Sequence, residues 1–464
     1  MSPHQRRLLP VVIAASLAGG AVAIAGGHQV SAAITTWTVY ASGVSVTPID
    51  AGTNTAGTPI GVSSAGLAIT PDGSTALVVS SGTTVTPITT ATNVAGTPIT
   101  GAGGETIAIT PNGKTAYVAD ESNGQVIPID VASGTAGTPI PVGNSPDAIA
   151  ITPDGSTAFV TDEGGGAVPT GVFPITLATA TVGTEIPIVS SDLEGIAITP
   201  DGKTAYVSTT LSVTPITVAT NTLGTPIATG HSPYTLAISP DGTTLYAANT
   251  GSATVTPVDI PSNTAGTDIA MANSAGGVVF APDGKTAYVH SLNNASVQTI
   301  DVATKTAGTV VPVANGGDWI AITPDQAPVA KYSAVQASVG SLTVNFDASA
   351  STVKYGTIAS YAWNFGDGTT TTTATPTTSH TYATAKQYTA SVTETSSGGT
   401  STTVVFTGQT VSRNGGPSAV ASAVVTAGVP VPNTGAATPF VPGLLLIIGG
   451  AGLVPVALLR RRRS

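Results

Sequence analysis

The sequence predicts an all-β protein: a seven-bladed β-propeller, then an immunoglobulin-like β-sandwich, and last a C-terminal transmembrane helix. Three observations lead to this prediction: a strand-and-turn unit that occurs seven times, a later segment with alternating aromatic residues, and a final apolar stretch. The prolines of the repeated turn are spaced 40 to 47 residues apart, which is typical of propeller blades. They are Pro71, Pro111, Pro153, Pro200, Pro240, Pro282 and Pro324.

Each repeat begins with an apolar strand that runs into a tight turn, as in residues 148–155, which read AIAITPDG. Proline presets φ at the first central position of the turn, and glycine accepts the positive φ that reverses the chain into a hairpin. Three more short strands fit into each period, and four strands per period describe a propeller blade. Because the alanines of the first strand face one side and the isoleucines the other, the pattern predicts burial of both faces between neighbouring blades.

The repeat is out of phase at its two ends. Residues 38–40 (TVY) correspond to the second strand of a blade, whereas residues 319–323 (WIAIT) correspond to a first strand with no partner after it. We therefore expect one closing blade, with its innermost strand from residues near 317–323 and its outer three strands from residues near 36–62. Such closure removes the open sheet edges that invite aggregation. The predicted propeller spans residues 33–325.

Two turn-and-strand segments, residues 111–118 (PNGKTAYV) and 200–207 (PDGKTAYV), resemble the repeat of the YVTN family of β-propellers. The element IDVAT at residues 300–304 resembles another part of that repeat, and the likeness covers roughly residues 36–325. The resemblance implies kinship with surface-layer and other exported proteins. The fold also hosts enzymes, so the family likeness alone does not assign a function.

Residues 326–412 are predicted to form the second module. In residues 361–368 (YAWNFGDG), three aromatic side chains alternate along a strand that ends in a Gly-Asp-Gly turn, which is typical of a half-buried strand. Together with the segment FDAS at residues 346–349, this segment resembles the PKD domain, an immunoglobulin-like sandwich common in extracellular proteins. The carboxylates of Asp347 and Asp367 are expected to cap turns, with calcium binding as the alternative.

Residues 1–32 carry two arginines, a long apolar run and a final site of small residues. This order is typical of a secretory signal peptide, so we predict an extracellular protein; an uncleaved anchor helix is the alternative. At the other end, residues 413–430 lose the strand pattern and consist mostly of Gly, Pro, Ser, Ala and Val, which predicts a spacer.

Residues 431–464 combine a short motif, an apolar stretch at 440–459 and four arginines at 460–463. Twenty helical residues span roughly 30 Å, enough to cross a bilayer with the arginines on the cytoplasmic side. The order resembles an LPxTG-like cell-wall sorting signal of Gram-positive bacteria, which implies that a sortase cuts the Thr-Gly bond and joins the chain to peptidoglycan. An anchor that stays uncut in the membrane is the alternative. The motif residues are Val431, Pro432, Asn433, Thr434 and Gly435, with valine in place of the family's leucine.

Composition restricts the chemistry that the protein can perform. The chain has no cysteine, which excludes disulfides, thiol catalysis and thiolate-bound metals. Between the two terminal segments, eight basic residues stand against 24 acidic ones, and a surface of this charge repels nucleic acid. Phosphate-loop, zinc-protease, serine-hydrolase and EF-hand motifs do not occur, so the sequence assigns no catalytic residue, metal ligand or cofactor.

The acidic residues fall into two groups. Those in the Pro-Asp-Gly turns recur in blade after blade, so folding explains them. Five non-repeated residues occur at or just before innermost strands, where we expect them to line one mouth of the central channel. They are Glu105, Asp147, Glu194, Tyr234 and Asp318. An insertion that contains Asp162 and Glu163 also breaks the symmetry of the repeats.

These features predict an exported, surface-anchored protein that acts in binding, adhesion or envelope structure and presents its propeller on the sandwich as a stalk. A glycan or a protein is the expected ligand. The alternative is a propeller enzyme, such as a lyase, hydrolase or quinoprotein-like dehydrogenase, with its site in the channel. The enzyme requires several ionisable side chains that converge at one mouth, whereas the binding protein requires only an exposed patch. A subunit of a surface-layer lattice is the third hypothesis.

Overall fold

The structure is a computed structural model that describes residues 36–80, 83–164, 170–190, 193–402, 404–407 and 410–429. The predicted signal peptide at 1–32, the sorting motif at 431–435, the apolar stretch at 440–459 and the arginine tail are outside the described residues. Within the described ranges, no helix has the length and apolarity needed to span a membrane. Strands predominate there, with two short 3-10 helices at Glu121–Asn123 and Pro417–Ala419.

Seven antiparallel sheets, each with a path of four strands, make up the described residues from 38 to 322, which we call the seven-sheet unit. The innermost strands are β4 (Gly66–Ile69), β9 (Thr106–Ile109), β14 (Pro146–Ile151), β19 (Ile196–Ile198), β24 (Pro233–Ile238), β29 (Ala275–Phe280) and β33 (Ile320–Ile322). The second strands are β5 (Thr75–Val79), β10 (Thr115–Asp120), β15 (Thr157–Asp162), β20 (Thr204–Thr209), β25 (Thr244–Asn249), β30 (Thr286–Ser291) and β1 (Thr38–Ala41).

The third and fourth strands complete each sheet toward the outside. The third strands are β6 (Thr84–Thr89), β11 (Gln125–Asp130), β16 (Gly171–Thr176), β21 (Ser212–Thr217), β26 (Thr254–Asp259), β31 (Ser296–Asp301) and β2 (Thr47–Asp50). The outer strands are β7 (Val94–Ala95), β12 (Thr135–Ala136), β17 (Thr181–Val182), β22 (Thr222–Leu223), β27 (Thr264–Ala265), β32 (Thr306–Pro312) and β3 (Thr55–Ala56). Five sheets add a two-residue strand beside the third: β8 (Ile99–Thr100), β13 (Ile140–Pro141), β18 (Ile186–Pro187), β23 (Ile227–Ala228) and β28 (Ile269–Ala270).

The seventh sheet joins the two ends of the repeat region, which confirms the predicted origin of its strands. Its order is β3-β2-β1-β33, with Tyr40 paired opposite Ala321, and the Ser42 amide donates to the Trp319 carbonyl at 3.0 Å. The innermost strands contact one another in chain order, and β33 contacts both β29 before it and β4 after it. The Tyr288 hydroxyl of the sixth sheet also donates to Asn54 Oδ1 of the seventh at 3.3 Å. The first and last sheets are therefore neighbours.

Neighbouring sheets bury both faces of the strand between them, as the alternation predicts. On one face of β14, Ala148 and Ala150 pack in a cluster with Ile196 of the following sheet. On the other face, Ile149 and Ile151 pack in a cluster with residues of the preceding sheet. The small alanines leave room for branched side chains of the next sheet, so the sheets stack closely.

A β-sandwich follows the seven-sheet unit. Its four-stranded sheet has the order β38 (Thr370–Thr373), β37 (Ile358–Asn364), β40 (Lys386–Ser396) and β43 (Val420–Ala427). Its three-stranded sheet has the order β35 (Ser333–Gln336), β36 (Thr343–Asp347) and β39 (Thr377–Thr381). A small sheet at the junction has the order β34 (Asp325–Gln326), β42 (Thr410–Asn414) and β41 (Val404–Thr407). The aromatic side chains of β37 pack inward with Phe346, as their alternation predicts.

The prediction of a spacer over residues 413–430 is wrong for its later part. Residues 420–427 form β43, which pairs antiparallel with β40 over eight residues, and Val425 and Ala427 are buried in the sandwich core. Alanine is depleted in strands and gives no clear alternation, so the sequence carries only a weak strand signal. Packing against β40 decides the structure of this segment.

The sandwich contacts the hairpin that follows β4. The Tyr355 hydroxyl donates to the Gly73 carbonyl at 3.2 Å, and Lys354 Nζ donates to the Asp72 carbonyl at 2.5 Å. Gln326 Nε2 donates to the Pro71 carbonyl at 2.9 Å, and β34 pairs in parallel with β42. Because the hairpin follows the innermost strand, the sandwich lies at the end of the seven-sheet unit opposite to the end where the innermost strands begin.

Candidate functional site

The five predicted mouth residues lie where the innermost strands begin, and we call this end of the seven-sheet unit the mouth. The strand starts are adjacent in space: Thr106 Oγ1 donates to the Asp147 carbonyl at 2.6 Å, and Thr235 Oγ1 donates to the Gly276 carbonyl at 2.7 Å. The loops between second and third strands end on the same side, and the Ser145 hydroxyl donates to Glu121 Oε1 at 3.1 Å. Loops that are distant in sequence therefore place their side chains together.

Three carboxylates form the densest part of the mouth. One oxygen each from Asp147, Glu163 and Glu194 lies within 4.8 Å of the other two, and all three side chains are partly exposed. Burial, and then the neighbouring charges of Glu194 and Glu163, raise the pKa of Asp147 well above its usual range. Like charges at this separation repel, so Asp147 resists ionisation at a pH where an ordinary aspartate is charged.

The remaining predicted residues complete this acidic surface. Burial and the charges of Glu121 and Asp318 raise the pKa of Glu105. Burial also raises the pKa of Asp318. A hydrogen bond from the Tyr234 hydroxyl to the Asp318 carboxylate acts in the opposite direction and lowers this pKa. The ring of Tyr234 lies 6.4 Å from that of Trp319. The charges of Asp318, Asp147, Glu194 and Glu105 all reinforce the effect of burial in raising the pKa of Tyr234. The five residues thus share one electrostatic environment.

Below these side chains, the innermost strands leave little space. The cavity between them measures about 20 Å³. A volume of this size holds about one water molecule. Its lining includes apolar side chains from five innermost strands: Leu67, Ile107, Leu236, Val278 and Ile320. A ligand larger than water therefore has access to the carboxylates at the mouth but not to the space beneath them.

Sequence reasoning missed part of this site. Glu121 follows a second strand and was not among the predicted mouth residues, although the loop position repeats in every sheet. Within the insertion, the structure separates two roles. Asp162 is buried and accepts from the amides of Ser145 at 2.7 Å and Gly164 at 3.1 Å, whereas Glu163 joins the carboxylate cluster.

The carboxylate cluster has the donor type that hard cations prefer. Oxygen ligands lie 2.3 to 2.6 Å from Ca²⁺, so two ligands of one ion are at most about 5 Å apart. The spacing of the three oxygens is compatible with that limit. In the sandwich, Asp347 Oδ1 accepts from the Ser349 amide at 2.8 Å, and Asp367 Oδ1 accepts from the Thr369 amide at 3.0 Å. Those two carboxylates have the turn contacts that the sequence predicts.

The pH dependence of stability should distinguish the mouth from the hairpins. Because folding raises the pKa of Asp147, its charged form lowers the free energy of unfolding at pH 7. This destabilisation disappears as the pH falls through the raised pKa and the carboxylate becomes protonated. We expect Asp147→Asn to raise Tm at pH 7 by roughly 2–4 °C, with the difference vanishing near pH 4.

Asp154→Asn is the matched control. Hydrogen bonds from Thr152 and the Ser156 amide lower the pKa of Asp154, so its contribution to stability is present above its unfolded pKa and is lost as the pH falls. The control should therefore lower Tm at pH 7. Thermal melts at both pH values measure the two signs, and equal signs for the two variants would contradict this account.

Comparison with known proteins supports the two-part architecture. Residues 325–411 match the model of the PKD domain family. No curated protein matches the sequence.

Two solved structures resemble this chain over somewhat less than two thirds of its length. Kuenenia stuttgartiensis hydrazine synthase is 22% identical, with 63% of this chain and 100% of that chain covered and a TM-score of 0.50. A functionally unknown protein from Desulfotomaculum acetoxidans is 20% identical, with 62% of this chain and 99% of that chain covered and a TM-score of 0.53. At these identities the likeness concerns the propeller-like fold alone.

Proposed function

We propose that the protein is an exported, surface-anchored binding protein that presents a closed seven-bladed propeller of YVTN type on a PKD stalk. The observation that carries this proposal is the placement of the mouth and the sandwich at opposite ends of the innermost strands. The chain continues from the sandwich toward the predicted anchor at 431–464, so the mouth would face away from the envelope. Adhesion and envelope structure are both roles that such a surface can serve.

The chemistry of the mouth favours a cationic group on the ligand. Several carboxylates are held within one another's electrostatic reach, and a positive group would relieve their mutual repulsion. The small cavity beneath them favours recognition of a group that extends from a larger polymer, either a glycan or a protein. The aromatic rings of Tyr234 and Trp319 supply an apolar surface beside the charges.

Binding to a matched pair of polymers tests this proposal. Polyglucosamine carries free amines and its N-acetylated form does not, so the full-length protein should bind the first and ignore the second. Salt should weaken the binding because exposed charges are screened. The double variant Glu163→Gln/Glu194→Gln should lose about tenfold in affinity, which corresponds to about 1.4 kcal/mol.

The control variant removes the same number of charges at the opposite end. Asp241→Asn/Asp283→Asn keeps its hairpins, because Asn112 naturally occupies this position and accepts from the Lys114 amide at 2.9 Å. This variant should bind polyglucosamine like the unmodified protein. Equal losses in both variants, or equal binding of both polymers, would contradict recognition at the mouth.

A propeller enzyme is the second candidate, because ionisable side chains do converge at the mouth. Asp147 has a raised pKa beside the carboxylates of Glu163 and Glu194, and carboxyl groups with different pKa values can act as general acid and base. Hydrolysis or elimination in a glycan would release new chain ends. If purified protein produces them and Asp147→Asn does not, the enzyme is favoured over the binding protein.

Attachment to the wall is a separate part of the proposal. Sortase would leave Thr434 as the new C-terminus, linked to peptidoglycan. Mass spectrometry of wall-released protein should then find a final peptide that ends at Thr434 with attached wall fragments. An intact peptide through Ser464 would instead support the membrane anchor.

A further inference from the structure

A run of threonines forms a free edge of the sandwich. Strand β38 lies at the edge of the four-stranded sheet and pairs only with β37 on its inner side. Thr370, Thr371 and Thr372 are exposed, whereas Thr373 is half-buried. The strand contains neither a charged residue nor proline, which are the usual features that protect an edge from pairing with another chain.

The structure divides the threonine hydroxyls of this run into two kinds. Thr369 Oγ1 donates to Asp367 Oδ1 at 2.6 Å, and Thr373 Oγ1 accepts from Trp363 Nε1 at 3.2 Å and donates to the Thr375 carbonyl at 2.7 Å. These two hydroxyls hold the turn and the core. Among the described residues, none donates to or accepts from the hydroxyls of the three threonines between them.

The seven-sheet unit uses many of its exposed hydroxyls differently. At the corner between third and outer strands, hydroxyls pair with each other, as in Ser133 with Thr135 at 2.7 Å and Thr220 with Thr222 at 2.8 Å. A hydroxyl in such a pair is engaged within its own hairpin. The three hydroxyls of β38 differ from these pairs in being consecutive, exposed and unengaged.

We propose that Thr370, Thr371 and Thr372 are sites of O-glycosylation. Sequences rich in threonine and serine with an interspersed proline are typical of O-glycosylated stalks, and Pro376 follows this run. Attached sugars would also cover the unprotected edge. The inference deepens the proposed function, since it rests on export and on the role of the sandwich as a stalk.

The reaction is a glycosyl transfer from a phosphate-activated sugar. A threonine Oγ1 attacks the anomeric carbon, and a new carbon–oxygen bond forms there. The bond from that carbon to the nucleotide- or lipid-linked phosphate breaks, and the phosphate leaves with the electron pair. The hydroxyl proton passes to a base of the transferase. An exposed edge strand gives such an enzyme access to three neighbouring acceptors.

Mass spectrometry of the full chain from its native host tests the proposal. Cleavage after lysine releases residues 355–386 as one peptide. In protein isolated from the envelope, most copies of this peptide should carry whole sugar residues, located by electron-transfer fragmentation on Thr370, Thr371 or Thr372. The variant Thr370→Val/Thr371→Val/Thr372→Val should lose the modification of this peptide and keep the strand, because valine favours β-structure.

The control variant Thr220→Val/Thr222→Val removes an engaged pair in the seven-sheet unit and should leave the modification of peptide 355–386 unchanged. Circular dichroism checks that both variants fold. Envelope-bound protein with an unmodified peptide, or with sugars only on Thr369 or Thr373, would overturn this inference and leave export standing. Protein confined to the cytosol would overturn export and the inference together.

Discussion

Replacing Ile322 with aspartate should lower the free energy of unfolding by about 3–5 kcal/mol, the usual cost of an unpaired buried charge. Ile322 is 2% exposed and pairs opposite Val39, where the last innermost strand meets the first strand of the chain. It packs in one cluster with Tyr288 and Val297 of the sixth sheet. A carboxylate here has no partner, so the substitution should separate β33 from β1.

Ile322→Val is the matched control at the same position. It removes one methylene group and should cost only about 0.5–1.5 kcal/mol. Urea unfolding measures both variants, and hydrogen exchange should show early loss of protection at β1 in the aspartate variant. If the aspartate variant unfolds at the same urea concentration as the valine variant, the pairing of the two chain ends contributes little to stability.

Replacing Trp363 with alanine should destabilise the sandwich by about 3–5 kcal/mol. The side chain is 2% exposed, its ring centroid lies 5.6 Å from that of Phe346 and 5.8 Å from that of Tyr332, and Nε1 donates to Thr373 Oγ1 at 3.2 Å. The substitution leaves a large cavity and removes the hydrogen bond that the indole donates to Thr373 Oγ1. Hydrogen exchange should show loss of protection in β36, β37 and β40 before the strands of the seven-sheet unit.

Val424→Ala is the control for this second prediction. Val424 is 64% exposed on the edge strand β43, so its truncation should change the free energy of unfolding by no more than about 0.5 kcal/mol. Thermal and urea unfolding of both variants provide the comparison. Similar stabilities for the two variants would mean that the aromatic cluster does not hold the sandwich together.

The architecture was predictable because the repeat gives two kinds of information: the spacing between copies, and the position within a blade at which the repeat region starts and ends. The spacing of the turns indicates four strands per unit, and the mismatch between residues 38–40 and 319–323 indicates the closing sheet. Local chemistry reinforces both, since the proline and glycine of each hairpin restrict its backbone. Segments with weaker local signals were less predictable, and β43 was assigned to a spacer because alternation in an alanine-rich segment is faint.

The sequence predicted where the mouth lies but not which of its side chains contact one another. The position before each innermost strand identifies Glu105, Asp147, Glu194, Tyr234 and Asp318, but sequence spacing does not reveal which side chains meet. The 4.8 Å grouping of Glu163 with Asp147 and Glu194 brings a residue that follows a second strand together with residues at two innermost-strand starts. The inclusion of Glu121 depends on its contact with Ser145 in a neighbouring sheet. Both are tertiary contacts that no local pattern encodes.

The chain's path from β33 through Pro324 into the sandwich has a mechanical consequence. A pull applied through the sandwich would reach the seven-sheet unit through β33, which is hydrogen-bonded to β1. If the pull acts along the strand, the backbone hydrogen bonds between β33 and β1 are loaded together in shear. If it acted across the strand, they would break one after another. The pairing between the two ends of the repeat region is therefore expected to resist tension that reaches the chain through the sandwich.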